Sequence, residues 1–140
     1  MAPMDRAEAL IRLARARSGH LGTVRPDAKP HVVVVTFAAV GGNVVTAIDH
    51  KPKRTQRVQR LVNIEANRSA SLLVDHYDED WDGLWWVRLD GSASIHRTGE
   101  LWSGAIDALV DKYPQYRERP PEGPVIVIAQ DRVTWWDGTR

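Results

Sequence analysis

The chain has 140 residues, 43% hydrophobic and 26% charged, with a formal net charge of +1 and no cysteine. That length suits one domain burying roughly two-thirds of the surface its unfolded chain would expose, and the missing cysteines exclude a disulfide framework, a thiolate metal site and a cysteine nucleophile. The balanced charge gives no net-charge argument for nucleic acid or a membrane surface, no apolar stretch approaches the ~20 residues of a membrane span, and no secretory signal is visible, so a cytoplasmic protein is expected.

Asp5 to Arg17 spaces Ala7, Leu10, Ile11, Leu13 and Ala14 as an amphipathic helix, with Asp5 as its N-cap and Gly19 as its stop. His20 to Arg25 reads as a short strand, and Pro26 to Lys29 as a turn. His31 to Val40 is apolar at nearly every position and rich in β-branched residues. Such a strand has apolar side chains on both faces. It must be central, or lie where a second subunit or a ligand covers its outer face. Gly41-Gly42-Asn43 supplies a tight hairpin, and Val44 to Ile48 returns as the next strand.

Pro52, suited to a first turn, opens a helix running to about Ala66 and ending at Asn67. Ser69 to Val74 is a strand, followed by an acidic loop, Asp75 to Asp80. Leu84 to Arg97 is a long strand bent at Gly91, and Glu100 to Asp111 a helix. Pro114, Pro120, Pro121 and Pro124 mark a loop, and Pro124 to Trp136 is the last strand, bulged at Gln130-Asp131. About six strands joined by hairpins, with three helices, indicate a mainly β (α+β) fold: a single small antiparallel barrel with peripheral helices.

The strongest residue-level signal is basic. Lys51 to Arg68 holds six Lys or Arg against one acid, Glu65. At about 100° per residue, Lys53, Arg57 and Arg60 fall within ~60° of one another, opposite Val58, Leu61 and Val62. A helix start near Pro52 adds free N–H groups and a positive dipole end, which suits a phosphate or carboxylate. A solvated amphipathic helix is the other reading of the same pattern. The acidic loop with His76 reads as a solvated turn, since its order matches neither an EF-hand nor a helical His pair, and no metal is expected. His20, His31, His50 and His96 form no triad. Six of the ten aromatic residues are Trp. Within a strand, Trp85 and Trp86 face opposite sides, one toward the core and one toward a groove or interface. No nucleophile elbow, P-loop, dinucleotide fingerprint or catalytic carboxylate pair is present.

Gly19 to Asp27, Pro30 to Phe37, Asp49 to Thr55, Asn63 to Asn67, Asp75 to Trp81 and Leu84 to Gly91, taken in order, resemble the pyridoxamine-phosphate-oxidase-like split-barrel proteins. They look most like the branch that uses the deazaflavin coenzyme F-420 instead of FMN. The resemblance covers nearly the whole chain and implies a six-stranded antiparallel split β-barrel. It further implies a homodimer with two cofactor sites at the subunit interface, the ring lying against the strands that carry Val33, Val35 and Ile48. The basic pair Lys51 and Lys53 would hold the anionic tail, with Arg54, Thr55, Gln56 and Arg57 as neighbours, and Asp49 and His50 would be further cofactor-binding residues. Gln56 stands where many relatives have Asn. Tyr77 and Trp86 match positions that approach the ring from the other subunit. Val33 to Val35 depart from relatives with Ser or Asn, which shifts ring recognition toward backbone groups and apolar contact. The implied activity is hydride transfer between the reduced deazaflavin and an electron-poor small organic substrate. An FMN-dependent oxidase or reductase on the same fold, or a non-catalytic flavin or haem carrier, are the alternatives.

Overall fold

The computed structural model describes residues 3–48 and 58–139. Its elements run α1 (Arg6–Arg15), β1 (Gly19–Val24), β2 (Pro30–Val35), β3 (Ala38–Val40), β4 (Asn43–Ala47), α2 (Gln59–Ala66), β5 (Ser69–His76), a 3₁₀ turn (Trp81–Gly83), β6 (Trp85–His96), α3 (Glu100–Lys112), α4 (Pro114–Glu118) and β7 (Val125–Asp137). The seven strands form one antiparallel sheet in the order β2-β1-β5-β6-β7-β4-β3.

That order corrects the reading of residues 31–40. The apolar run is two strands, and neither is central: β2 and β3 are the opposite edges of the sheet. Only Thr36 and Phe37 join them. Each Cα–Cα step covers at most 3.8 Å, so the two edges lie within about 11 Å of each other. The sheet must therefore roll up, and the barrel has an open seam where β2 hands over to β3. Seven strands thus replace the six expected, within the same split-barrel architecture.

Strand alternation fills the barrel. Leu21, Phe37, Val44, Leu72, Val74, Val87, Leu89, Ala93, Ile126 and Ile128 form one buried cluster, capped by Ala9 and Leu13 of α1 and Leu61 and Ile64 of α2. The other face of β3, β4 and β7 packs through Ala38, Val45, Ala47, Val125 and Val127 against Ala105, Ile106 and Leu109 of α3. On β2 the same alternation leaves Val32 and Val34 pointing outward, 65% and 68% exposed.

Local signals hold at several points. The Asp5 side chain accepts the Glu8 N–H at 2.8 Å and caps α1. Gly41 and Gly42 both take positive φ, 56° and 86°, as a two-residue hairpin turn between strands of right-handed twist requires. The β6–β7 register shifts at Asp90/Gly91, leaving Asp131 as the extra residue of a bulge. A Cβ on Gly91 would meet the Ala129 carbonyl oxygen at 1.9 Å, so the close approach of the two strands there requires glycine.

Other expectations shift. Ala16, not Gly19, is the C-cap of α1; Gly19 opens β1, where a side chain would press on Leu72 and Phe37. Asp75 and His76 belong to β5, so the acidic loop is shorter than expected. The proline-rich segment after α3 contains α4, with Pro114 in its first turn, where a missing N–H costs nothing. The expected helix start at Pro52 lies outside the described residues; α2 is described from Gln59, and Asn67 is its C-cap as expected. No described helix is long and apolar enough to cross a membrane.

Candidate functional site

Thr36 and Phe37 leave the sheet's hydrogen-bonding ladder, so their backbone groups need other partners. Side chains supply them. Thr46 Oγ1 donates to the Thr36 carbonyl at 2.7 Å. The Phe37 N–H donates to the Tyr113 hydroxyl at 3.2 Å, and that hydroxyl lies 3.0 Å from the Phe37 carbonyl and 2.9 Å from the Arg17 carbonyl, which share its one proton. Lys112 Nζ donates to the carbonyls of Ala16 at 2.7 Å and Phe37 at 2.9 Å, and sits 4.0 Å from the Phe37 ring centre. The last turn of α3 thereby pins the seam to the end of α1.

A cavity of about 160 Å³ opens at this seam, lined by Ser18, Val34, Val35, Thr36, Thr46, Ala47 and Arg60. It has an apolar side in the two valines and a polar end in two threonines and a guanidinium. Arg60 is the described member of the basic stripe expected from helical spacing, and α2 brings it to this cavity. Among the described lining residues none is an Asp, Glu, His, Cys or Met, so their donor set suits an anionic or hydroxylated group rather than a metal. Among the described residues no group of three or more potential metal ligands occurs.

The expected site residues divide into three sets. Val35 lines the cavity, Val33 packs against the barrel core beside it, and Ile48 is partly buried, its N–H donating to the Pro124 carbonyl at 3.1 Å. Asp49, His50, Lys51, Lys53, Arg54, Thr55, Gln56 and Arg57 lie outside the described residues. Tyr77 and Trp86 do not line the cavity. Tyr77 is exposed, and Trp86 is half-buried on the outer face of β6 with the Arg88 guanidinium 5.9 Å from its ring. Trp85 takes the opposite face as expected: it packs against the core, stacks on His76 at 6.1 Å and is covered by Arg12. His20 and His96 bind locally, to the Leu73 carbonyl and to Ser94 Oγ.

Sequence reasoning missed Thr36, Thr46, Lys112 and Tyr113. Lys112, the last residue of α3, and Tyr113, its C-cap, come to the seam from 75 and 76 positions away in the chain. Burial and the nearby Arg17 guanidinium push the Lys112 ammonium down to about 8, while burial raises the Tyr113 phenol above its usual value.

No curated protein matches the chain in sequence. Solved structures do match it in fold. The conserved hypothetical protein Rv2991 from Mycobacterium tuberculosis superposes with a TM-score of 0.78 at 24% identity, covering 96% of this chain and 86% of that one. A heme binding protein from Mycobacterium smegmatis gives 0.76 at 22% identity over 97% of this chain, which spans only 55% of that protein's length. A FAD-binding protein from Mesorhizobium loti gives 0.73 at 17% identity, covering 96% and 95% of the two chains. The sequence pattern of the pyridoxamine 5'-phosphate oxidase family matches residues 5–137. With a rolled seven-stranded sheet, an open seam and a cavity at that seam, the chain belongs to the pyridoxamine 5'-phosphate oxidase family.

Proposed function

We propose that the chain is an oxidoreductase that works as a homodimer and binds a flavin-class cofactor at the barrel seam, with the deazaflavin F-420 as the first choice and FMN as the second. The observation that carries this reading is the cavity at residues 34–36, apolar at Val34 and Val35 and polar at Thr36, Thr46 and Arg60. That division matches a flat ring on one side and a phosphate-bearing tail on the other. The run from Lys51 to Arg57 follows β4 in sequence and carries the further cations that a multiply anionic tail needs. This is what favours F-420, whose tail adds carboxylates to the phosphate.

Size supports the dimer. About 160 Å³ is below the ~300 Å³ from which cofactor pockets usually begin, so one copy does not enclose the ring. Val32 and Val34 on edge strand β2, together with Trp136 at 46% exposure, leave apolar side chains in water that a second copy would cover. Trp86 and Tyr77, which do not line the cavity of their own protomer, would then serve the partner's site.

When bound, the cofactor supplies hydride chemistry. The chain's own residues orient and shield it: the valines exclude water, Arg60 holds negative charge, and Thr46, itself tied to the Thr36 carbonyl, fixes the seam's backbone. Among the described lining residues there is no His, Cys, Met or Tyr to serve as a haem axial ligand, which favours the flavin-class reading over haem. Titration of the purified protein with F-420, FMN, FAD and haem, followed by tryptophan fluorescence with the solution mass measured in parallel, tests the proposal. Saturable binding of F-420 or FMN by a dimer is expected, with turnover of enones or quinones by the reduced complex. Binding of haem alone, or a monomer that binds none of the four, would overturn it; tight binding without turnover would make the protein a carrier.

A further inference from the structure

A second cleft, of about 380 Å³, is lined by Arg17, Thr36, Tyr113, Gln115 and Tyr116. It shares Thr36 with the seam cavity, so the two adjoin across one residue. Its cationic side is built rather than incidental. The Arg17 guanidinium lies 4.8 Å from the Tyr113 ring centre and spends one N–H on the Lys112 carbonyl at 3.0 Å. Lys112 lies beneath, 5.3 Å from the same ring, with its ammonium committed to two backbone carbonyls.

Two cations thus meet at one place, and among the described residues neither makes an ion pair with a carboxylate. The charge is felt: besides burial, Arg17 is the one charged neighbour among the described residues that lowers the Lys112 value, and it does so by repulsion. Across the cleft, the Thr36 and Tyr116 hydroxyls are 3.0 Å apart, and the Tyr113 and Tyr116 rings meet edge to face at 5.7 Å. A guanidinium held in place, a hydroxyl pair and an aromatic wall together fit a small anion with a flat body.

We propose that this cleft binds a small organic carboxylate, its anionic end on Arg17 and the Thr36–Tyr116 hydroxyl pair and its unsaturated body along the Tyr116 ring, Tyr113 itself being buried. A carboxylate accepts the planar fork of a guanidinium through two oxygens, and it supplies the negative charge that the Arg17–Lys112 pair lacks. Because Thr36 is common to both cavities, the ligand sits beside the cofactor cleft. Its role as the hydride-accepting substrate rests on the function proposed above; its binding does not.

The cofactor-free full chain, titrated with benzoate and with neutral benzamide as the size-matched control, separates the two. Amide chemical shifts in ¹⁵N-labelled protein should move saturably with benzoate at Arg17, Gln115 and Tyr116, with benzamide at least tenfold weaker. Arg17→Gln should abolish that preference while melting within a few degrees of the parent chain. Should Arg17→Gln fail to fold, Gln115→Glu at the exposed rim should weaken benzoate several-fold through like-charge repulsion and leave benzamide unchanged. Equal affinity for the two probes, no saturation, shifts centred on Arg60 instead, or folded variants that bind benzoate as the parent does would each overturn the proposal. Benzoate binding alongside a failed cofactor titration would sink only the cofactor reading.

Discussion

The β5–β6–β7 region and the seam at Thr36–Phe37 belong to one sheet but are held by different physics. From Trp85 to His96, β6 pairs with β7 along its whole length and with β5 over most of it, and the Leu72–Leu89–Val133 row lies buried beneath. Backbone ladders and alternating apolar residues specify that region, with one bulge as the irregularity. At the seam the ladder stops, and Thr46, Lys112 and Tyr113 replace it side chain by side chain. The difference teaches where a site can arise. A continuous ladder satisfies its own backbone, whereas a gap whose backbone is satisfied by side chains brings polar groups from distant elements to the rim of one cleft.

Breaking the ladder region should have the largest effect. Leu89→Ala should cost about 2–5 kcal/mol of global stability, the range for emptying a buried leucine site, read as a lower denaturant midpoint with an unchanged slope. Tyr113→Phe should cost less, about 1–3 kcal/mol, by leaving the buried Phe37 N–H without its acceptor while Lys112 still serves the Phe37 carbonyl. Its signature is local: hydrogen exchange at Phe37 should accelerate more than exchange at Leu72 or Leu89. Uniform acceleration at all three would mean the seam is not a separately held unit.

Arg60→Glu leaves both regions folded and should weaken flavin-class cofactor binding about tenfold, ~1.4 kcal/mol, in a fluorescence titration. A pH dependence of similar size is also expected. Lys112 gives up its proton near 8 in the native state, against 10.5 for the ordinary side chain. Between those values the unfolded chain binds more protons than the native one, so this group's contribution to stability rises with pH. Comparing the parent with Lys112→Met at pH 7.5 and 9.5 should show that gain in the parent only. An equal pH response in both would place the origin elsewhere.

Much of the ladder region was legible in the sequence for the same reason that it is stable. Val87 to His96 alternates and the Gln130-Asp131 interruption marks the bulge; outside that region Gly41-Gly42 marks its turn and Asp5 caps its helix. The seam was not legible. Thr36 and Phe37 continue a β-branched, apolar run with no turn residue, so local composition gives no reason for a break. The break exists because Tyr113 and Lys112 arrive from far along the chain to satisfy it. For the same reason only one cation of the candidate site, Arg60, followed from helical spacing, while Thr36 and Thr46 enter through tertiary proximity. The short helix α4 was hidden by prolines, because Pro114 serves a first helical turn as well as a loop.

Hydrogen exchange on the protein with and without saturating F-420 or FMN tests the central claim most directly. Protection should rise at residues 34–37 and 46–48 and stay unchanged along β5 and the first half of β6 away from Trp86. New protection confined to the ladder region, with the seam amides exchanging as fast as before, would contradict the account.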